Sequence, residues 1–155
     1  MKDFQELLQP VIKAIADKPI NKALGERLNA EFPADGPLFS AIEQACHAAI
    51  ATGWMCAHGD EGRKFGRVIK PSSETGNLSV DVVQLNNVAG PHHSHPRGEV
   101  CMVMPQDEGA TFDNNGAGWC TYAAGTSHFP TVRGGDALVL YLLPDGEIHF
   151  TGKTK

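Results

Sequence analysis

Long apolar runs, paired cysteines and a cationic stripe are all missing from this 155-residue chain, and each absence removes a class of protein. No stretch approaches the ~20 apolar residues of a membrane-spanning helix. The opening Met1-Lys2-Asp3-Phe4-Gln5-Glu6 carries acids where a signal peptide has an apolar core. A soluble cytoplasmic protein with no membrane partner is expected. Cys46, Cys56, Cys101 and Cys120 are scattered without a CxxC pair, which argues against a zinc knuckle or a disulfide framework and for reduced thiols. The formal charge is -5 and the pI near 5.7, so no nucleic-acid partner held through phosphates is expected. No GxGxxG or phosphate loop is present, and no nucleotide cofactor is expected.

What is there is a chain in two styles. Residues 1–53 have helical periodicity. Phe4, Leu7, Leu8, Val11, Ile12 and Ile15 form one stripe that Pro10 should kink or split, a second helix follows Asn21, and a third starts at Asp35-Gly36-Pro37 and stops at Gly53. About three leader helices are therefore expected, packed on the remainder or on a second subunit. From Trp54 to residue 155 the pattern becomes short strands between turns rich in the chain's 17 Gly and 10 Pro. Trp54–Ala57 reads as a strand, 58–62 as a turn, and Arg63–Lys70 and Leu78–Val88 as strands. The shift from Val80/Val82 to Val83/Leu85 predicts a bulge or a strand covered on both faces. Ala137–Leu143 is almost wholly apolar and should be central. Eight to ten short strands in all would close, or nearly close, a small antiparallel barrel.

The chemistry is concentrated in Gly90-Pro91-His92-His93-Ser94-His95-Pro96-Arg97-Gly98-Glu99. Extended backbone alternates side chains between faces, so His93 and His95 point one way and His92 the other. A turn at Pro96-Arg97-Gly98 would let the strand from Glu99 to Met104 fold back antiparallel and carry its carboxylate to the imidazoles. A histidine-rich surface loop that binds nothing accounts for a bare HxH equally well. The glutamate weighs against that, as does His128, which follows a glycine turn at Gly125 and should open a strand from Phe129 to Arg133. Three neutral imidazoles and one carboxylate suit a divalent metal with positions left open, whether Fe, Mn, Ni, Co or Zn. His47 and His149 read as packing or surface histidines.

His93-x-His95-x3-Glu99 followed by Gly125-x2-His128 resembles the two metal-binding motifs of the cupin superfamily, which implies a mainly β protein, an antiparallel β-barrel or jelly roll. Gly90, Ala123 and Val132 depart from the usual loop pattern, whereas all four ligand types match. More closely, residues 91–99, Tyr122-x2-Gly125-x2-His128-x-Pro130-Thr131-Val132 and Leu140-Tyr141-Leu142-Leu143-Pro144-x-Gly146 resemble the bacterial 4-hydroxylaminobenzoate lyase family. That resemblance implies release of ammonia from a small aromatic carboxylate to give 3,4-dihydroxybenzoate. It implies His93, His95, Glu99 and His128 at the metal, with Glu99 also counted as catalytic. From the residues themselves, Arg67, Arg97 and Arg133 are candidates to hold a substrate carboxylate, Arg67 first because it stands beside Phe65 in an alternating strand; Tyr122 is a candidate to line an aromatic pocket beside the substrate, and His92 is either a proton carrier or an exposed loop histidine. The cupin resemblance implies paired barrels, so a homodimer is expected. A metal-dependent dioxygenase and a non-catalytic binding cupin are the rival readings, since one fold hosts many functions.

Overall fold

The computed structural model describes residues 2–154. Four helices lead: α1 (Lys2–Leu7), α2 (Gln9–Ile15), α3 (Lys22–Glu31) and α4 (Pro37–Ala51). The expected first helix is two because Pro10 cannot donate within a helix but fits its first turn, so α2 restarts there. The apolar stripe survives the break: Phe4, Leu8, Val11, Ile12 and Ile15 are all buried. Asn21 caps α3 by accepting from the Leu24 amide at 3.0 Å.

Eleven strands follow among the described residues. They are β1 (His58–Asp60), β2 (Arg63–Ile69), β3 (Leu78–Asn86), β4 (His93–His95), β5 (Glu99–Pro105), β6 (Thr111–Phe112), β7 (Gly118–Tyr122), β8 (Thr126–His128), β9 (Val132–Arg133), β10 (Asp136–Pro144) and β11 (His149–Phe150). Three readings need correction. Trp54–Ala57 is not a strand; Trp54 instead packs edge-on against Phe4 with ring centroids 6.1 Å apart. The strand lies at His58–Asp60, inside the expected turn, and pairs with β2 so closely at Gly59 that a Cβ there would come within 2.2 Å of the Arg63 carbonyl. His128 ends β8 rather than opening a strand, and Phe129–Thr131 cross to β9 without strand pairing beyond a bridge at Thr131.

All pairings are antiparallel. One sheet has the order β1-β2-β3-β10-β5-β7, a second β11-β4-β8, and β6-β9 form a small third. The result is a mainly β fold of antiparallel sheets with the helices packed outside. β10 is central, matched to β3 from Asp136↔Asn86 to Pro144↔Leu78 and to β5 from Ala137↔Pro105 to Leu142↔Val100. Its alternation serves two cores. Leu138, Leu140 and Leu142 pack with the helices, while Val139, Tyr141 and Leu143 belong to the interior between the sheets. Each such leucine contributes about 1.5–3 kcal/mol by burial. β3 divides the same way, with Val80 and Val82 outward and Val83 and Leu85 inward, so both its faces are covered. The bulge sits on its partner β2, between Arg67 and Ile69. At the open edge, Asn29 of α3 accepts from the Trp119 amide at 2.8 Å and donates to the Trp119 carbonyl at 2.9 Å, which covers β7 as another strand would.

Candidate metal centre

β4 does not fold back on β5. It pairs with β8, setting His93 opposite His128 and His95 opposite Thr126, while β5 lies in the large sheet. Pro96-Arg97-Gly98 is therefore a corner between sheets, held by the Gly98 amide on the His95 carbonyl at 3.0 Å with Gly98 at φ +92°. The crossing carries Glu99, which is fully buried, up to the imidazoles from the opposite wall.

One ligand atom from each of His93, His95, Glu99 and His128 lies within 4.8 Å of all the others. His93 Nε2 is 3.2 Å from Glu99 Oε2 and 3.1 Å from His128 Nε2; Glu99 is 3.8 Å from His95 Nε2 and 3.7 Å from His128 Nε2. The outer nitrogens fix the rings. His128 Nδ1 donates to Asp113 Oδ2 at 2.6 Å, and His93 Nδ1 faces the Pro91 carbonyl at 3.4 Å. The Thr126 hydroxyl spends its proton on the Ala123 carbonyl at 2.6 Å, so at 3.2 Å it accepts from His95 Nδ1. That assigns His95 its tautomer and leaves Nε2 as a bare lone pair. His95 Nε2 is buried with no hydrogen-bond partner among the described residues.

Lone pairs from two walls converging on one buried point, one of them orphaned, fit a cation. Burial, with His128 and His93 adding to it and Glu99 opposing, lowers the His95 pKa to about 4, so it stays neutral. Burial alone would push the Glu99 carboxyl up. Hydrogen bonding to His128, His93 and Cys101 outweighs it and holds the value at about 2. For His128 burial again opposes charge, but Asp113 and Glu99 raise it from 6.5 to about 9. The sign follows: a raised folded-state pKa stabilises fully below about 6.5 and loses that contribution as pH rises through about 9. Protein stripped with chelator should therefore melt at progressively lower temperature across that interval. A scanning-fluorimetry series at fixed ionic strength checks this, and a flat profile would contradict it.

A cavity of about 530 Å³ reaches the centre at His93. Phe65, Val83, Leu85, Pro130, Ile148 and Phe150 make it apolar, and Arg63, Arg67 and Tyr141 are among its polar members. Its volume suits a small ring compound. Arg67 is on the wall, but Nε and one terminal nitrogen engage Asp81 at 2.7 and 3.3 Å, and that nitrogen also donates to the Gly146 carbonyl at 3.0 Å. Arg63 donates to the Ala89 carbonyl at 2.9 Å and has no carboxylate partner among the described residues. Other sequence candidates do not line the cavity. His92 turns outward to Thr151 Oγ1 at 2.6 Å and packs on Phe129. Arg97 lies in the exposed corner, paired with Asp145 and Glu147 at 3.0 and 3.1 Å. Tyr122 stacks on His128 at 4.3 Å and donates to Asp113 Oδ2 at 2.6 Å, so it buttresses the centre from behind.

The chain matches the family described as PnbB: 4-hydroxylaminobenzoate lyase over residues 6–150. It belongs to that family. Relatives within the 4-hydroxylaminobenzoate lyase family include one from Pseudomonas putida, 29% identical over 153 residues, which span 88% of this chain and 87% of that protein. Another, from Nocardioides sp. (strain LMS-CY), is 26% identical over 158 residues, 96% and 94% of the two chains. Among solved structures, DMSP lyase DddQ from Ruegeria pomeroyi DSS-3 covers 98% of both chains at 18% identity and TM-score 0.43. A cupin-like protein from Thermotoga maritima msb8 covers 65% of this chain and 88% of its own at 13% identity and TM-score 0.40. No helix in the described residues of this lyase-family chain is long and apolar enough to cross a membrane.

Proposed function

We propose that the protein is a metal-dependent lyase that converts 4-hydroxylaminobenzoate and water into 3,4-dihydroxybenzoate and ammonia. The observation that carries this reading is the buried three-histidine, one-glutamate cluster at the inner end of an apolar cavity of ring-compound size, in a chain of this family. His93, His95 and His128 would hold the ion through Nε2 and Glu99 through its carboxylate. A divalent ion held there supplies Lewis acidity to an oxygen of the substrate.

The chain's own groups do the rest. Phe65 and Phe150, 47% and 58% exposed, flank the mouth and take the ring between apolar walls. The carboxylate stays at the outer end, where exposed Arg63, unpaired with any carboxylate among the described residues, brings positive charge; Arg67 is offset by Asp81. That orientation delivers the para nitrogen to His93. Neutral His95 and the single Glu99 charge leave most of a divalent ion's charge uncompensated, as an electrophilic role requires. The reaction leaves net oxidation state unchanged, so it needs no nicotinamide or flavin. His92 and Arg97, outside the cavity, are given no contact with substrate in this scheme. A cytoplasmic homodimer completes the proposal, with light scattering as the check on assembly.

Purified protein loaded in turn with iron, manganese, cobalt, nickel or zinc should release ammonia and the catechol in equal amounts from the aryl hydroxylamine, without oxygen uptake. Neither product with any metal would overturn the reading, and oxygen consumption in their place would point to an oxygenase.

A further inference from the structure

Tyr141 is the one polar-tipped side chain in the apolar run of β10, and it stands on the strand's inward face between Asp81 of β3 and Cys101 of β5. It is 4% exposed and lines the cavity, with its ring centroid 6.3 Å from that of His93. Its hydroxyl makes no hydrogen bond to any described residue. A phenol buried to this degree is normally paired, and a donor left without a protein partner beside a cavity points to a partner that occupies the cavity. The neighbouring polar groups are committed: Asp81 to Arg67, His93 to Glu99 and His128. Arg63, an exposed residue, belongs to the outer end. Tyr141 is thus the uncommitted neutral donor at the inner end.

We propose that the Tyr141 hydroxyl is the hydrogen-bond donor that seats the para heteroatom of a ring acid beside His93. This rests on reading the cavity as a site for small aromatic acids, and it adds a selectivity that the apolar walls cannot supply. An apolar slot of this shape accepts benzoate and its para-hydroxy analogue nearly alike, whereas a buried donor favours the ligand that carries an acceptor and leaves the bare ring at a disadvantage. Burial and then the charges of Glu99, Cys101, Asp113 and Asp81 raise the Tyr141 pKa well above that of an ordinary phenol, so the group remains a donor. It is a positioning residue, since it fixes where the reacting nitrogen and oxygen lie.

The test compares binding of benzoate and 4-hydroxybenzoate to the metal-loaded protein and to its Tyr141→Phe variant by titration calorimetry. The wild type should prefer 4-hydroxybenzoate, and the variant should lose roughly 5- to 10-fold of that preference while binding benzoate as before. Its melting temperature should not move, because no protein group loses a partner. An unchanged preference in the variant overturns the proposal, as does a wild type that binds both acids equally or neither. Ammonia release is measured on the same samples. A wild type that discriminates but releases no ammonia sinks the lyase reading alone, and a competent lyase whose preference ignores Tyr141 sinks this one alone.

Discussion

Glu99→Gln should yield a folded protein that holds its divalent ion at least ~100-fold more weakly and has no measurable ammonia release. The substitution keeps the volume of a fully buried side chain and its acceptor oxygen for the Cys101 thiol, 3.0 Å away. It removes the one negative charge among three imidazoles. Those imidazoles remain as donors, but no anion then offsets the desolvation of a divalent ion, and the His128 proton loses one of the two carboxylates that favour it. Metal content after dialysis against a weak chelator reads the first effect and product release the second. A variant that keeps full metal content would show the ion to be held elsewhere.

Asp113→Asn is expected to weaken metal binding by roughly 10- to 100-fold without touching a ligand. Asp113 Oδ2 accepts from His128 Nδ1 and from the Tyr122 hydroxyl, both at 2.6 Å, while Oδ1 accepts from the Thr131 amide at 2.9 Å. An asparagine can satisfy Thr131 only by turning its NH2 toward His128. A donor there favours the imidazole tautomer with its proton on Nε2, which closes that nitrogen to a cation. The stability loss should be about 1–3 kcal/mol, since buried donors lose their acceptor. At about 2–4 °C per kcal/mol for a chain of this size, a melting curve resolves it. Tyr122→Phe removes only one of the three bonds and serves as the control. Equal metal affinity in Asp113→Asn and wild type would mean that His128 is oriented by something other than this carboxylate.

Asp113 also marks where the sequence stops being readable. The residues 113–116 announce a turn and nothing more, and nothing local says that the first of them reaches under His128 and Tyr122 at once. The convergent set was legible for the opposite reason. Strand alternation places His93 and His95 together, a corner glycine precedes Glu99, and Gly125 frees the approach to His128; all are short-range rules. Local rules also suggested that β4 would pair with β5, and there tertiary structure won, because neither strand edge could be assigned to a sheet from its own residues. Arg67 looked like an unattached cation because its partner Asp81 is fourteen residues away and meets it only through cross-strand register. Tyr141 was hidden inside an apolar run whose burial masked its hydroxyl. Pro10 and the helical stripe located the leader, yet whether that stripe met the barrel or a second subunit depended on long-range packing.

The alternation along β10 extends to its neighbours and amounts to a division of labour by parity. On β3, β5 and β10, odd-numbered positions such as Asp81, Val83, Glu99, Cys101, Val139 and Tyr141 look toward the interior between the sheets, while even-numbered ones such as Val80, Val82, Val100, Met102, Leu138 and Leu140 anchor the leader. Selectivity can therefore drift at odd positions with little penalty to the helical layer, and the helical layer can be repacked at even positions without reshaping that interior. A library confined to one parity would separate the two traits in a single experiment.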